Sequence, residues 1–353
     1  MRWTVPTPLV VATAVTGSVA MSARTGLALP LNLLLPVAGL VDVARRAEAL
    51  GYDTVWAAEA GTNDAFGLLA ACASATSRIG LATGVLPIFT RTPALMAQSA
   101  ATLQDWSGGR FELGLGVSSA TIVSRWNGVP YDRLLDRVRD YTQVVRSLLA
   151  GEKVSRPSDL YPVDGYRLLL NVPTPPPPVL LGALNPAMLR LAGSDSDGAL
   201  LNWIGAASVP AALAQVDSGA AGAPRRNAVF VRVCVTSDVP AARAWARREV
   251  MGYVTVPAYR RAFATQGWAA VCSAAMDLWS AGDRKGAAAS LPDEFVDSLC
   301  LAGPADDVRA RFAEFRAAGV EEPVAFLYSG QHEVPAIVAE LEATMAALAP
   351  GIP

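Results

Sequence analysis

Between residues 25 and 348, short β-type runs alternate with longer amphipathic runs eight times, and this alternation constrains the fold more than any other feature of the chain. The β-type runs fall at 25–32, 53–60, 78–86, 110–117, 179–183, 198–202, 228–235 and 323–328. The helical runs that follow the first six and the last of them lie at 37–50, 64–76, 93–106, 131–150, 186–192, 209–216 and 334–348. Gly51 closes the first helix as a C′ glycine, and Thr92-Pro93 opens the third with an N-cap and an N1 proline. A helix after each strand carries the chain back to the starting edge, so successive strands run parallel. Eight such units predict a closed (β/α)8 TIM barrel rather than an open doubly wound sheet.

Three stretches depart from the simple repeat. The fourth helix is delayed by a loop containing Trp126-Asn127-Gly128-Val129-Pro130, and long loops at strand ends often carry function. Residues 151–178, with the run Pro175 to Pro178, read as an irregular connection that no helix can cross. After the seventh strand, residues 241–301 are largely helical, more than one barrel helix requires, before a further helix at 304–318. The excess is read as an insertion near the C-terminal edge of the sheet.

A barrel of this type accounts for residues 25–353 as a single domain. The 52 % hydrophobic content suits a large buried parallel sheet. With 29 basic against 31 acidic residues, a net charge of −2 and no Lys/Arg-rich run, the chain has no electrostatic footprint for nucleic acid, so a small-molecule partner is expected. Cys72, Cys234, Cys272 and Cys300 lie among apolar residues without C-x-x-C spacing and read as reduced core residues, with no metal site. Residues 1–24 read as an N-terminal extension. In it Arg2 precedes an apolar stretch ending Ser18-Val19-Ala20, which looks like a signal-peptidase site, while Pro6, Pro8 and an alternative start at Met21 point to an upstream misassigned start. The expectation is a cytoplasmic protein, with export as the alternative and no stable membrane insertion, because two prolines break a segment barely long enough to span.

The active site of such a barrel lies at the C-terminal ends of its strands. There the sequence reads Trp56-Ala57-Ala58-Glu59-Ala60, Ala82-Thr83-Gly84-Val85-Leu86, Gly114-Leu115-Gly116-Val117-Ser118-Ser119, Leu181-Gly182-Ala183-Leu184-Asn185 and Leu201-Asn202-Trp203. Glycine at a strand end lets a flat ring or a phosphate approach the backbone, or it simply makes a turn.

The runs Gly51-Tyr52-Asp53-Thr54-Val55-Trp56, Ser77-Arg78-Ile79-Gly80-Leu81-Ala82-Thr83-Gly84-Val85 and Ser107-Gly108-Gly109-Arg110-Phe111-Glu112-Leu113-Gly114-Leu115-Gly116 together resemble the bacterial luciferase-like family. The segment from Val179 through Asn185-Pro186 to Gly193, with Asn202-Trp203, resembles the strand-five and strand-six region of the same family. The Thr83-Gly84-Val85 form resembles the members that use coenzyme F420 more than the flavin mononucleotide (FMN) monooxygenases. The resemblance implies a non-prolyl cis peptide at Gly84-Val85 that supports the middle ring of the cofactor. It implies cofactor contacts at Thr83, Gly84, Val85, Gly116, Val117, Ser118, Ser119, Leu181, Gly182, Ala183, Leu184 and Asn185. The phosphate would meet Ser118, Ser119 and the amides of residues 182–184, and the helix starting at Asn185-Pro186 would add a favourable dipole. Asn185 as a plain helix cap is the other reading.

Family members that reduce or oxidise substrates often carry an Asp-His pair after strand two, where this chain has Glu59-Ala60. Glu59 is the best-placed ionisable residue and is read as the general acid, with a salt bridge or a helix-orienting contact as the alternative. The sole histidine, His332, follows strand eight, where a surface position is expected. Trp56, Trp126 and Trp203 line the pocket mouth or serve packing. Three functions follow: an F420-dependent oxidoreductase transferring hydride to or from a small organic substrate, an FMN-dependent monooxygenase, and a barrel that binds cofactor without turnover. The resemblance also implies a homodimer, paired through early helices such as the one at 64–76.

Overall fold

In the computed structural model, which describes residues 24–33 and 35–351, eight parallel strands close into a barrel. They are β1 (Gly26–Ala28), β2 (Thr54–Ala57), β3 (Gly80–Thr83), β4 (Phe111–Gly116), β5 (Val179–Gly182), β6 (Gly198–Asn202), β7 (Arg226–Val235) and β8 (Glu322–Leu327). Each pairs with the next in parallel, and β8 closes the ring by pairing with β1 as well as β7. The readings of the segment before residue 24 lie outside the described residues, among which no helix is long and apolar enough to cross a membrane.

The barrel helices follow the expected order: Val37–Ala49, Ala65–Ala75, Pro93–Trp106, Leu134–Leu149, Pro186–Asp195, Val209–Ala220, Ala305–Ala317 and Val334–Ala347. Thr92 caps its helix as expected, accepting from the Leu95 amide at 3.3 Å, and Asp64 caps the helix at Ala65–Ala75 by accepting from the Gly67 amide at 2.6 Å. Alternate strand residues face opposite ways. One set, including Leu27, Val55, Leu81, Leu113, Leu181 and Val231, packs under the helices in the outer core. The other fills the barrel interior with Trp56, Ala82, Leu180, Leu200, Phe230 and Val324.

Two parts of the fold differ from the sequence reading. The segment 151–178 is not wholly irregular, since Val154–Arg156 and Val163–Tyr166 pair as an antiparallel hairpin. The segment 241–301 is not helical to its end. Its helices Val239–Val254, Pro257–Thr265, Ala269–Ser280, Arg284–Ala289 and Asp293–Leu299 lead into a further strand, Cys300–Gly303. The cause is the length of β7. Its pairing with β6 stops at Phe230↔Asn202, and the overhang would leave buried backbone groups without partners. Cys300–Gly303 satisfies them, from Arg232↔Cys300 to Val235↔Gly303. The insertion thus packs apolar residues such as Phe263 and Phe295 together with Trp203, Cys234 and Tyr328 of the barrel at its C-terminal end beside β6 and β7.

Candidate functional site

At the C-terminal end of β3 the Gly84-Val85 peptide is cis. Strand β2 pins this bulge from one side: the Gly84 amide donates to the Ala57 carbonyl at 2.9 Å, and the Glu59 amide donates to the Val85 carbonyl at 3.3 Å. Strand β4 holds it from the other, because Thr83 Oγ1 accepts from the Gly114 amide at 2.8 Å and donates to the Gly114 carbonyl at 3.0 Å. The strand-end glycines answer first to protein packing. A Cβ on Gly116 or Gly182 would lie 2.5 or 3.0 Å from Val85 methyl carbons, and a Cβ on Gly84 would lie 2.5 Å from Phe230 Cζ. The small residues therefore form the groove in which the bulge itself is seated, a packing role beside the ligand and turn roles expected from the sequence.

Glu59 leaves the tip of β2 at the rim, with its side chain 18 % exposed. Arg91 clamps it through both oxygens, at 2.7 Å to Oε1 and 3.0 Å to Oε2, and Oε2 also accepts from the Ala65 amide at 3.2 Å. Arg91 also bonds Asp64, lies 5.4 Å from the Phe66 ring centroid, and is fixed through its carbonyl by Tyr141 at 3.0 Å. The carboxylate is therefore oriented by a guanidinium and by the start of the helix at Ala65–Ala75, a position with both electrostatic and structural consequence.

The other expected cofactor residues divide by face. Leu181 and Ala183 point into the outer core with the helices, and Val117 packs against it half-buried. Ser118 adopts a left-handed backbone at φ 58°, its carbonyl accepts from the Tyr131 hydroxyl at 3.0 Å, and Ser119 Oγ accepts from the Ile122 amide at 3.3 Å. Asn185 makes no side-chain cap. Its Nδ2 donates instead to the Ala258 carbonyl at 3.4 Å, tying the start of the helix at Pro186–Asp195 to the insertion. Beside that uncapped helix start lies a cavity of about 310 Å³, bordered by Leu184, Pro186, Asn202, Ile204, Gln215 and Gln266. The helix start is proline, which has no N–H, so what the protein brings to this cavity is the mixed polar and apolar lining of Asn202, Gln215, Gln266, Leu184 and Ile204.

Of the tryptophans, Trp126 is 63 % exposed, Trp56 crosses the barrel interior with Nε1 donating to Glu322 at 2.9 Å, and Trp203 is buried at the mouth. His332 is exposed, as expected after strand eight.

Two charged features were not singled out from the sequence. At the N-terminal floor of the barrel, Arg24 and Arg226 meet Glu112 at 3.0 and 2.7 Å and Glu322 at 3.3 and 2.7 Å. Burial, reinforced by the neighbouring Glu322 carboxylate, raises Glu112 above the usual carboxylate range, and burial raises Glu322 likewise. At the opposite end Arg232 occupies the inward face of β7 two residues beyond Phe230, and burial lowers its guanidinium below its usual range. The available signal was a lone arginine in the apolar run Val229-Phe230-Val231-Arg232-Val233-Cys234.

A family model described as luciferase-like monooxygenase matches residues 5–322. A protein of Mycobacterium tuberculosis named as a coenzyme F420-dependent oxidoreductase is 32 % identical over 304 residues, spanning 79 % of this chain and 88 % of the relative. A 5,10-methylenetetrahydromethanopterin reductase of Methanolobus tindarius is 29 % identical over 305 residues, spanning 82 % and 90 % of the two chains. The coenzyme F420-dependent tetrahydromethanopterin reductase of Methanopyrus kandleri shares the fold with a TM-score of 0.73 at 20 % identity, over 94 % of this chain and 98 % of that one. The oxygenating constituent of 3,6-diketocamphane monooxygenase from Pseudomonas putida, in complex with FMN, shares it with a TM-score of 0.67 at 22 % identity, over 94 % and 99 %. By the extent of the family match and the identity to these relatives, the chain belongs to the luciferase-like monooxygenase family of TIM-barrel oxidoreductases.

Proposed function

We propose that the protein is a coenzyme F420-dependent oxidoreductase acting on a small organic substrate. The observation that carries this reading is the 32 % identity, across 79 % of the chain, to a relative named for F420 dependence. A cavity of about 310 Å³ beside the strand ends at Ala183, Leu184 and Asn202 is consistent with it. The bound deazaflavin would supply hydride transfer.

The chain's own residues do the rest. Thr83, Gly84 and Val85 form the ledge for the ring, braced through Gly116, Gly182 and the β2 backbone. Ser118, Ser119 and the backbone at residues 182–185 receive the phosphate, with Val117, Leu181, Ala183 and Leu184 shaping the strand ends that present it. Glu59 is the candidate for proton exchange at the rim, and Arg91 positions its carboxylate. FMN is the alternative cofactor, since the fold is shared with an enzyme whose structure holds FMN.

Equilibrium binding of F420 and FMN to the purified apoprotein tests the choice. Tighter binding of F420, with turnover that consumes no oxygen, is the expected result. Preference for FMN together with oxygen consumption during turnover would replace this reading with the monooxygenase.

A further inference from the structure

Arginines stand at both ends of this barrel, half-buried at the floor and fully buried at the mouth, but only the floor supplies counter-charges. Arg24 and Arg226 at the floor each pair with both Glu112 and Glu322. Arg232 at the mouth is 3 % exposed and forms no ion pair among the described residues. Its Nη1 donates to the neutral Asn202 Oδ1 and, at 3.4 Å, to the Phe230 carbonyl, while its buried Nε has no partner. Nη2 likewise makes no hydrogen bond among the described residues, so the whole Nε/Nη2 edge of the guanidinium is uncommitted. The Trp203 and Phe326 ring centroids lie 3.7 and 4.6 Å from Cζ, and these contacts offset part of the cost of burying the charge. Glu249 is the acidic side chain whose charge favours the cation, and it lies beyond ion-pair distance. A cation left buried in this way is expensive unless something completes it.

The position of Arg232 says what completes it. Strand β7 lies four strands from β3 in either direction around the ring, so Arg232 looks across the mouth from the wall opposite the Gly84-Val85 bulge. One layer below it, Phe230 reaches the bulge. A ring seated on the bulge would have its substrate on the Arg232 side, and the inference rests on the cofactor reading to that extent. The Nε/Nη2 edge of an arginine is a planar fork matched to the two oxygens of a carboxylate. We propose that Arg232 is the recognition residue for a carboxylate group on the substrate of this enzyme, received between Trp203 and Phe326, with Asn202 fixing the guanidinium by its other edge.

The test uses sodium benzoate as probe and uncharged benzamide as control, at ionic strength matched with sodium chloride, read by thermal unfolding and by tryptophan fluorescence, to which Trp203 contributes. Benzoate, and not benzamide, is expected to raise the melting temperature of the wild-type apoprotein and to change its fluorescence. Arg232→Gln should weaken benzoate binding about tenfold to hundredfold, the loss of charge-assisted hydrogen bonds. It should melt no lower than wild type, because it removes a charge without a counter-ion. Arg232→Lys, which keeps the charge and loses the fork, should fall between the two, and it serves as the test variant if the Gln variant does not fold. Affinity for F420 should be the same in wild type and in both variants. Equal responses to benzoate and benzamide, or undiminished benzoate binding by the variants, would overturn the proposal. A parallel loss of F420 affinity would overturn it too, since the arginine would then hold a carboxylate of the cofactor. A wild-type protein that discriminates benzoate from benzamide but does not bind F420 supports the carboxylate site and overturns the cofactor reading alone.

Discussion

Replacing Arg226 by Met removes one of the two cations on the barrel floor while keeping much of the side-chain volume. Arg226 Nη2 lies 2.7 Å from Glu112 and 2.7 Å from Glu322, whose side chains are 7 % and 0 % exposed. Without it the two carboxylates share Arg24 alone, at 3.0 and 3.3 Å. Breaking a buried pair by removing one partner costs about 3–5 kcal/mol. At about 2 °C per kcal/mol for a chain of this size, the melting temperature should fall by roughly 6–10 °C at pH 8.5. The loss should depend on pH, with a sign set by the raised carboxyls. A group whose folded pKa lies above its unfolded value contributes stability that is fully present below the unfolded pKa and is lost as pH climbs through the folded one. Glu112 and Glu322 are already raised, and removing a cation raises them further, so at pH 5 the floor takes up a proton and the variant approaches wild type. Circular-dichroism melts of both proteins from pH 5 to 8.5 measure this, and Arg226→Met combined with Glu112→Gln should recover most of the loss at high pH. A deficit equal at pH 5 and pH 8.5, or no rescue by the Gln substitution, would refute the reasoning.

At the rim, Glu59→Gln weakens a bidentate contact to Arg91, which should cost about 1–3 kcal/mol, and a general acid at this position should lose about 10² to 10⁴ in turnover per folded site. An unchanged turnover number would leave Glu59 with the positional role only. Gly84→Ala places a Cβ 2.5 Å from Phe230 Cζ and 3.0 Å from Leu200 and Trp56 carbons, an overpacking worth about 1–3 kcal/mol. Phe230→Leu in the same chain should relieve it, and melts without that recovery would show that the clash lies elsewhere. Sedimentation should give twice the chain mass of 36.8 kDa, and a monomer at micromolar concentration would rule out pairing through the half-buried face of Phe66, Ala70 and Ala71.

The barrel itself was legible because its signals are local. Strand β6 at Gly198–Asn202 and the helix Pro93–Trp106 have the bounds their apolar runs and caps predict, since proline, glycine and a capping threonine act within a few residues of themselves. The cis peptide at Gly84-Val85 was expected from the family resemblance of the Thr83-Gly84-Val85 run, since no local propensity favours a non-prolyl cis bond. The strand Cys300–Gly303 was hidden, for its four residues form a strand only because the overhang of β7 needs partners. The occupancy of the strand-end glycines was hidden for a related reason: Val85 and Phe230, not the glycines, determine what fills their space. Arg24, Glu112, Arg226 and Glu322 stand far apart in the chain, and nothing local in their four segments says that they neutralise one another. Arg232, on the same inward face of β7 as Arg226 but at the other end of the strand, has no such partners. Periodicity and punctuation depend on near neighbours and so can be read along the chain. Which buried charges meet, and which one is left facing the barrel mouth, depends on residues that only barrel closure brings within a few ångströms.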